Sequence, residues 1–161
     1  MAGEFRWDAS LGGGALMDLG CYPLQWVRVA TGEEPVVESA SMRRNNGVDV
    51  ATEARLSFPG GALAKIACSM DADAFAASLK IVGERGSIAI DNPLAPHFGH
   101  RLVVDSNGSS VTEKVEGVST FAAQLQAVAA TLRNGVPFPL AADDPIRSMA
   151  SIDAVRVAAS A

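Results

Sequence analysis

A chain of 161 residues with 18 acidic and 13 basic side chains carries a net charge of −5, which argues against a nucleic-acid footprint or an anionic-membrane binder. With 48% apolar and 19% charged residues, it has the balance of one globular domain with a real core, not of a disordered chain. No run of eighteen apolar residues exists to span a bilayer, and the opening MAGEFRWDASLGGG lacks the basic-then-apolar pattern of a signal peptide.

Residues 1–10 hold no strong pattern, and Phe5-Arg6-Trp7 reads as a strand end or a packed loop. Three glycines, Gly12, Gly13 and Gly14, then lead into a helix from about Gly14 to Ala30, with Leu16, Leu19 and Trp26 on one side. Pro23 falls inside it and predicts a kink directly after Tyr22, tilting that side chain outward. Thr31-Gly32 ends the helix and Pro35 prevents its resumption.

From Val36 to Val115 the periodicity changes to two. Val48, Val50, Thr52, Ala54, Leu56 and Phe58 alternate with Asp49, Ala51, Glu53, Arg55 and Ser57, and Pro59-Gly60-Gly61 turns the chain into a return strand, Ala62 to Met70. Further strands are predicted at Val36 to Met42, Phe75 to Ile81, Ser87 to Ile90 and either side of Asn107-Gly108. This meander of six or seven strands predicts a mainly antiparallel sheet.

The last third is helical. Phe121, Leu125, Val128 and Leu132 mark the apolar face of a helix capped by Ser119 or Thr120 and closed by Asn134-Gly135. Asp144-Pro145 then supplies an N-cap and an N1 proline for a final helix along Ile146, Met149, Ile152 and Val155. The fold class is α+β: one domain, 1–161, with helices packed on one face of an open sheet. The opposite face, with Asp49, Glu53, Arg55, Lys65 and Lys80 among small residues, reads as a sheet-to-sheet dimer contact in preference to a solvated surface.

The chemistry candidates are few. The glycines before a helix invite a phosphate reading, but no buried strand precedes them and Met17 stands where a third fingerprint glycine belongs. They are read instead as permitting close backbone approach or an unusual φ. His97 and His100 have no third ligand in view, so no metal site is assigned. Cys21 and Cys68 lack metal-type spacing and read as reduced, buried thiols of a cytoplasmic protein.

Asp18 and Tyr22, four apart on one helix face, are the candidate catalytic pair. A phenol acts as a general acid only when a cation offsets the neighbouring carboxylate; nothing adjacent in sequence supplies one, and Arg6 and Arg28 are candidates that the sequence does not place. The alternative is an ordinary helix-face Asp beside a half-buried Tyr.

Taken together, GGGALMDLGCYPL, the FPGG hairpin, VGERGSIAIDNP and FPLAADDPIRSMASIDAVR closely resemble the C-terminal half of the glucose–fructose oxidoreductase / inositol dehydrogenase (Gfo/Idh/MocA-type) family, from about Trp7 to Ala159. The resemblance implies an NAD(P)-dependent oxidoreductase acting on a sugar, polyol or dihydrodiol. In it, this α+β domain provides substrate contacts and an open sheet for oligomerisation, and a Rossmann domain holds the cofactor. The family motif on the glycine-led helix is D-x-x-x-H. Asp18 matches its Asp and Tyr22 stands at its His, as in the glucose–fructose oxidoreductase and dihydrodiol dehydrogenase branch, where that tyrosine is the proposed proton donor. The Rossmann fingerprint and the Glu-Lys-Pro motif are missing from the chain. The expectation is therefore a homo-oligomeric half-enzyme, inactive and without nucleotide unless joined by a nucleotide domain in the same or another chain. The competing expectation is a free-standing non-catalytic dimerisation or ligand-binding module.

Overall fold

A computed structural model describes residues 4–160. They divide into two compact units, Met1–Asp73 with Ala142–Ala161, and Ala74–Ala141. The α+β class holds, with antiparallel pairing throughout, but the strands form two sheets.

The first unit holds β1 (Val36–Asn45), β2 (Val48–Ser57) and β3 (Leu63–Ser69) in sheet order β1-β2-β3. Asn46 and Gly47, both at positive φ, make the two-residue turn from β1 to β2. The inner face of this sheet is covered by α1 (Cys21–Thr31) and α3 (Asp144–Ala158). The core of the chain lies here: Leu16, Leu24, Val27, Ala54, Leu56, Phe58, Ile66, Ile152 and Val155.

Several expectations for this unit are corrected. Phe5–Trp7 is a 3₁₀ turn, not a strand end. The buried stripe of the glycine-led helix is Leu16, Gly20, Leu24 and Val27, whereas Leu19 and Trp26 are only partly covered. A π turn at Leu16–Gly20 runs unbroken into α1, with Ala15, Gly20 and Cys21 all in the right-handed helical region, so Pro23 lies inside a continuous helical segment, as expected. Gly20 lets this segment lie against β3, since a Cβ there would sit 2.6 Å from Leu16 Cδ1 and 3.3 Å from Cys68 Sγ.

The third correction concerns Asp49. Alternation places it outside, with Glu53 and Arg55, but the pairing slips between Arg43↔Ala51 and Arg44↔Asp49. The extra residue on β2 breaks the two-residue period, and Val48, Asp49 and Val50 are all buried. Lys80 lies in the other sheet, so the outer face here keeps Glu53, Arg55, Lys65 and Leu63, with Lys65 Nζ 2.9 Å from Glu53.

The N-cap of α3 is Asp143, one residue earlier than expected: its carbonyl accepts from Ile146 N and Arg147 N, and the Asp144 carboxylate accepts from Arg28. The Arg28 side chain is 4% exposed and donates to both oxygens of Glu34 (2.7 and 2.8 Å), to Asp144 (3.0 Å), to Gln25 and to Ser148. This latch joins the end of α1 to the start of α3.

The second unit holds β4 (Ser78–Gly83), β5 (Gly86–Asp91), β6 (Arg101–Ser106) and β7 (Ser109–Glu113), paired in chain order, then α2 (Thr120–Asn134). Asn107-Gly108 forms the expected hairpin turn, both at positive φ. Ser119 caps α2 by accepting from Ala122 N, and Gly135 ends it in the left-handed region. The expected core face of α2 is not a core: Phe121, Leu125 and Leu132 are 79, 69 and 80% exposed, and the helix buries no residue.

Candidate active site

The glycine-led segment is shaped by its backbone. Gly12 (φ +76) ends a 3₁₀ turn whose start is capped by Asp8, and Gly14 takes φ +129, closed to side-chain-bearing residues. A Cβ on Gly13 would fall 2.5 Å from the Arg6 carbonyl oxygen, and one on Gly14 would fall 2.2 Å from Asp49 Oδ1. Close backbone approach and unusual φ are thus the reasons for these glycines. Their N–H groups are satisfied within the chain, Gly12 by Ala9, Gly13 by Asp8 and Gly14 by Arg6, and Asp49 Oδ2 accepts from Leu16 N at 2.7 Å. The loop has no ring of free donors for a phosphate.

The π turn carries Asp18, and Tyr22 follows in the first turn of α1. Arg6 Nε donates to Asp18 Oδ2 at 2.9 Å, with the Asp18 side chain 28% exposed. Hydrogen bonding to Asp18, and next to Glu4, raises the Arg6 guanidinium above its ordinary range, so it stays a cation. Tyr22, the only tyrosine in the chain, is 44% exposed. Of the two arginines that the sequence left unplaced, Arg6 reaches Asp18, while Arg28 is committed to its latch with Glu34 and Asp144. The Asp18 carboxylate, four residues before Tyr22 in the chain, is thereby already paired.

The other candidates have structural duties. His100 Nε2 accepts from Val115 N at 3.0 Å and its Nδ1 lies 3.0 Å from the Pro96 carbonyl, which fixes the proton on Nδ1; His97 stacks on Phe98. Among the described residues no His, Cys, Asp or Glu cluster has metal-binding geometry. Cys21 and Cys68 are free and partly covered, and burial pushes the Cys68 thiol up to about 12, leaving it protonated and inert. Sequence reasoning missed Asp49. A slip in strand register brings it inside, and no residue type signals that slip.

A family model described as GFO/IDH/MocA C-terminal domain matches residues 1–89. The chain belongs to the GFO/IDH/MocA family. An uncharacterised oxidoreductase, ORF334, from Rhizobium meliloti is 33% identical over 158 residues, spanning 92% of this chain and 47% of that protein. A D-xylose 1-dehydrogenase (NADP(+)) from Haloferax volcanii is 25% identical over 158 residues, 96% of this chain and 48% of that one. The crystal structure of an aldose-aldose oxidoreductase from Caulobacter crescentus, complexed with glycerol, superposes with a TM-score of 0.88. It is 26% identical, covering 98% of this chain and 49% of that one. The GFO/IDH/MocA chain described here thus spans about half the length of the curated relatives it matches, and NADP-dependent sugar oxidoreductases are among them. Among its described residues no helix is long and apolar enough to cross a membrane.

Proposed function

We propose that residues 1–161 act as one C-terminal domain, the substrate-binding and oligomerisation half of an NAD(P)-dependent oxidoreductase for a sugar, polyol or dihydrodiol. The observation that carries this reading is an exposed phenol, Tyr22, four residues from a carboxylate that Arg6 already holds at 2.9 Å. Asp18 is engaged by Arg6, and the exposed Tyr22 hydroxyl is free to give its proton to a substrate carbonyl oxygen. In the reverse direction the phenolate takes the proton of the alcohol.

The described residues do not fit a dinucleotide. Every strand pair is antiparallel, and the amides of the glycine loop and of Leu16 are spent inside the chain. The nucleotide is therefore assigned to a domain in the same or another chain, and these residues supply the proton side of the reaction.

Two further assignments belong to the same reading. The outer face of the first sheet, where Leu63 is 81% exposed between Arg55, Glu53 and Lys65, is the surface for a second copy of the chain. Sedimentation giving only monomer at high micromolar concentration would remove that assignment. Two unpaired thiols suit a reducing, cytoplasmic location.

The decisive experiment joins the chain to a nucleotide-binding half and compares Tyr22→Phe with the parent. The chemical step is expected to fall by ~10²–10⁴-fold while the fold is kept. An unchanged rate returns Tyr22 to a packing role. In parallel, the chain alone titrated with NADPH is expected to give no fluorescence change at micromolar concentrations.

A further inference from the structure

Gly14 holds both halves of the Arg6–Asp18 pair by its backbone. Its N–H donates to the Arg6 carbonyl at 3.0 Å, and its own carbonyl accepts from the Asp18 N–H at 3.1 Å. The position of Gly14 therefore fixes the main chains of Arg6 and Asp18 relative to one another, the frame from which guanidinium and carboxylate meet.

What fixes Gly14 is Asp49. This carboxylate, 9% exposed, accepts from Leu16 N at 2.7 Å and from Thr52 Oγ1 at 3.0 Å, and its other oxygen occupies the space a Cβ on Gly14 would need. Thr52 is itself 2% exposed in the middle of β2, so the carboxylate is braced by the sheet. On the far side, the missing Cβ of Gly13 lets the Arg6 carbonyl close in. The segment is gripped between a side chain from β2 and the backbone of the preceding turn.

A buried carboxylate that no cation among the described residues pairs with is costly, and an apolar residue in β2 would pack there without that cost. The carboxylate does what an apolar residue does not: it ties the start of the π turn to the sheet at one register.

We propose that Asp49, acting on Gly14 and Leu16, is a positioning residue that holds Asp18 within reach of Arg6. Its catalytic meaning rests on the role assigned to Asp18 and Tyr22; the clamp itself is testable without any turnover. Neither Asp49 nor Gly14 touches the reacting groups.

The experiment is side-chain NMR on the 161-residue chain, reading hydrogen exchange of the Arg6 Nε–H, which the bond to Asp18 protects. The Arg28 Nε–H, bonded to Glu34, is the internal reference for a general loss of stability. Asp18→Asn identifies the Arg6 signal. Asp49→Ala is expected to speed Arg6 exchange by about tenfold and leave Arg28 unchanged. Asp49→Asn, whose carbonyl still accepts from Leu16 N, is expected to restore most of the protection. Thr52→Val removes only the brace and is expected to give a smaller change of the same sign, which keeps the test decisive if Asp49→Ala does not fold.

Arg6 protection unchanged in the folded variants, or Arg6 and Arg28 loosening together, would overturn the proposal and leave Asp49 as a simple helix cap. A clamp that responds as expected beside a rate-neutral Tyr22→Phe would retain the clamp and dismiss the catalytic reading.

Discussion

The helices α1 and α2 have the same kind of sequence and opposite fates. Each carries large apolar residues three and four apart and ends in a left-handed glycine. In the first unit the stripe is buried, with Leu24 and Val27 at 1 and 9% exposure under the sheet. In the second, Phe121, Leu125 and Leu132 stand open, and no residue of β4 to β7 is fully buried. An apolar stripe specifies that something must lie against the helix. It does not specify that the cover comes from these residues.

Stability measurements sharpen this contrast. Leu24→Ala empties a site in the core and is expected to cost ~2–5 kcal/mol in chemical denaturation. A cost below ~1 kcal/mol would place the core elsewhere. Acid is expected to act next in size. Arg28, chiefly through its hydrogen bond, holds the Glu34 carboxylate below the usual range. A folded-state value lowered in this way stabilises the protein at neutral pH, and that contribution is lost as pH falls from about 5 toward 3. The denaturation midpoint should drop over that window, and Glu34→Gln should flatten part of the drop; Glu34 is partly exposed, so solvent limits the effect. Smallest of all, Leu125→Ala is expected to change stability by less than ~0.5 kcal/mol, since little area leaves contact. A core-sized loss there would erase the difference between the two helices.

Much of the architecture was legible. All seven strands, the two hairpin turns at Pro59-Gly60-Gly61 and Asn107-Gly108, the Ser119 cap and the Gly32 and Gly135 stops follow from local chemistry that acts within a few residues. Asn46-Gly47 carries the same hairpin signal and was equally readable. The candidate pair was half legible. Asp18 and Tyr22 stand out by spacing, but Arg6 and Arg28 were unplaced by the sequence, and the choice between them depended on which carboxylates each one meets. Asp49 was misassigned because its two neighbours obey the alternation that it breaks.

By itself, then, the sequence determined the α+β class, the order of the elements and the family, because periodicity, turn residues and motifs are properties of neighbouring positions. Tertiary structure alone decided that the strands form two sheets, that Arg6 rather than Arg28 pairs with Asp18, and that Asp49 turns inward. Each of those outcomes is set by groups far apart in the chain, whose meeting depends on register and on competition for the same partners.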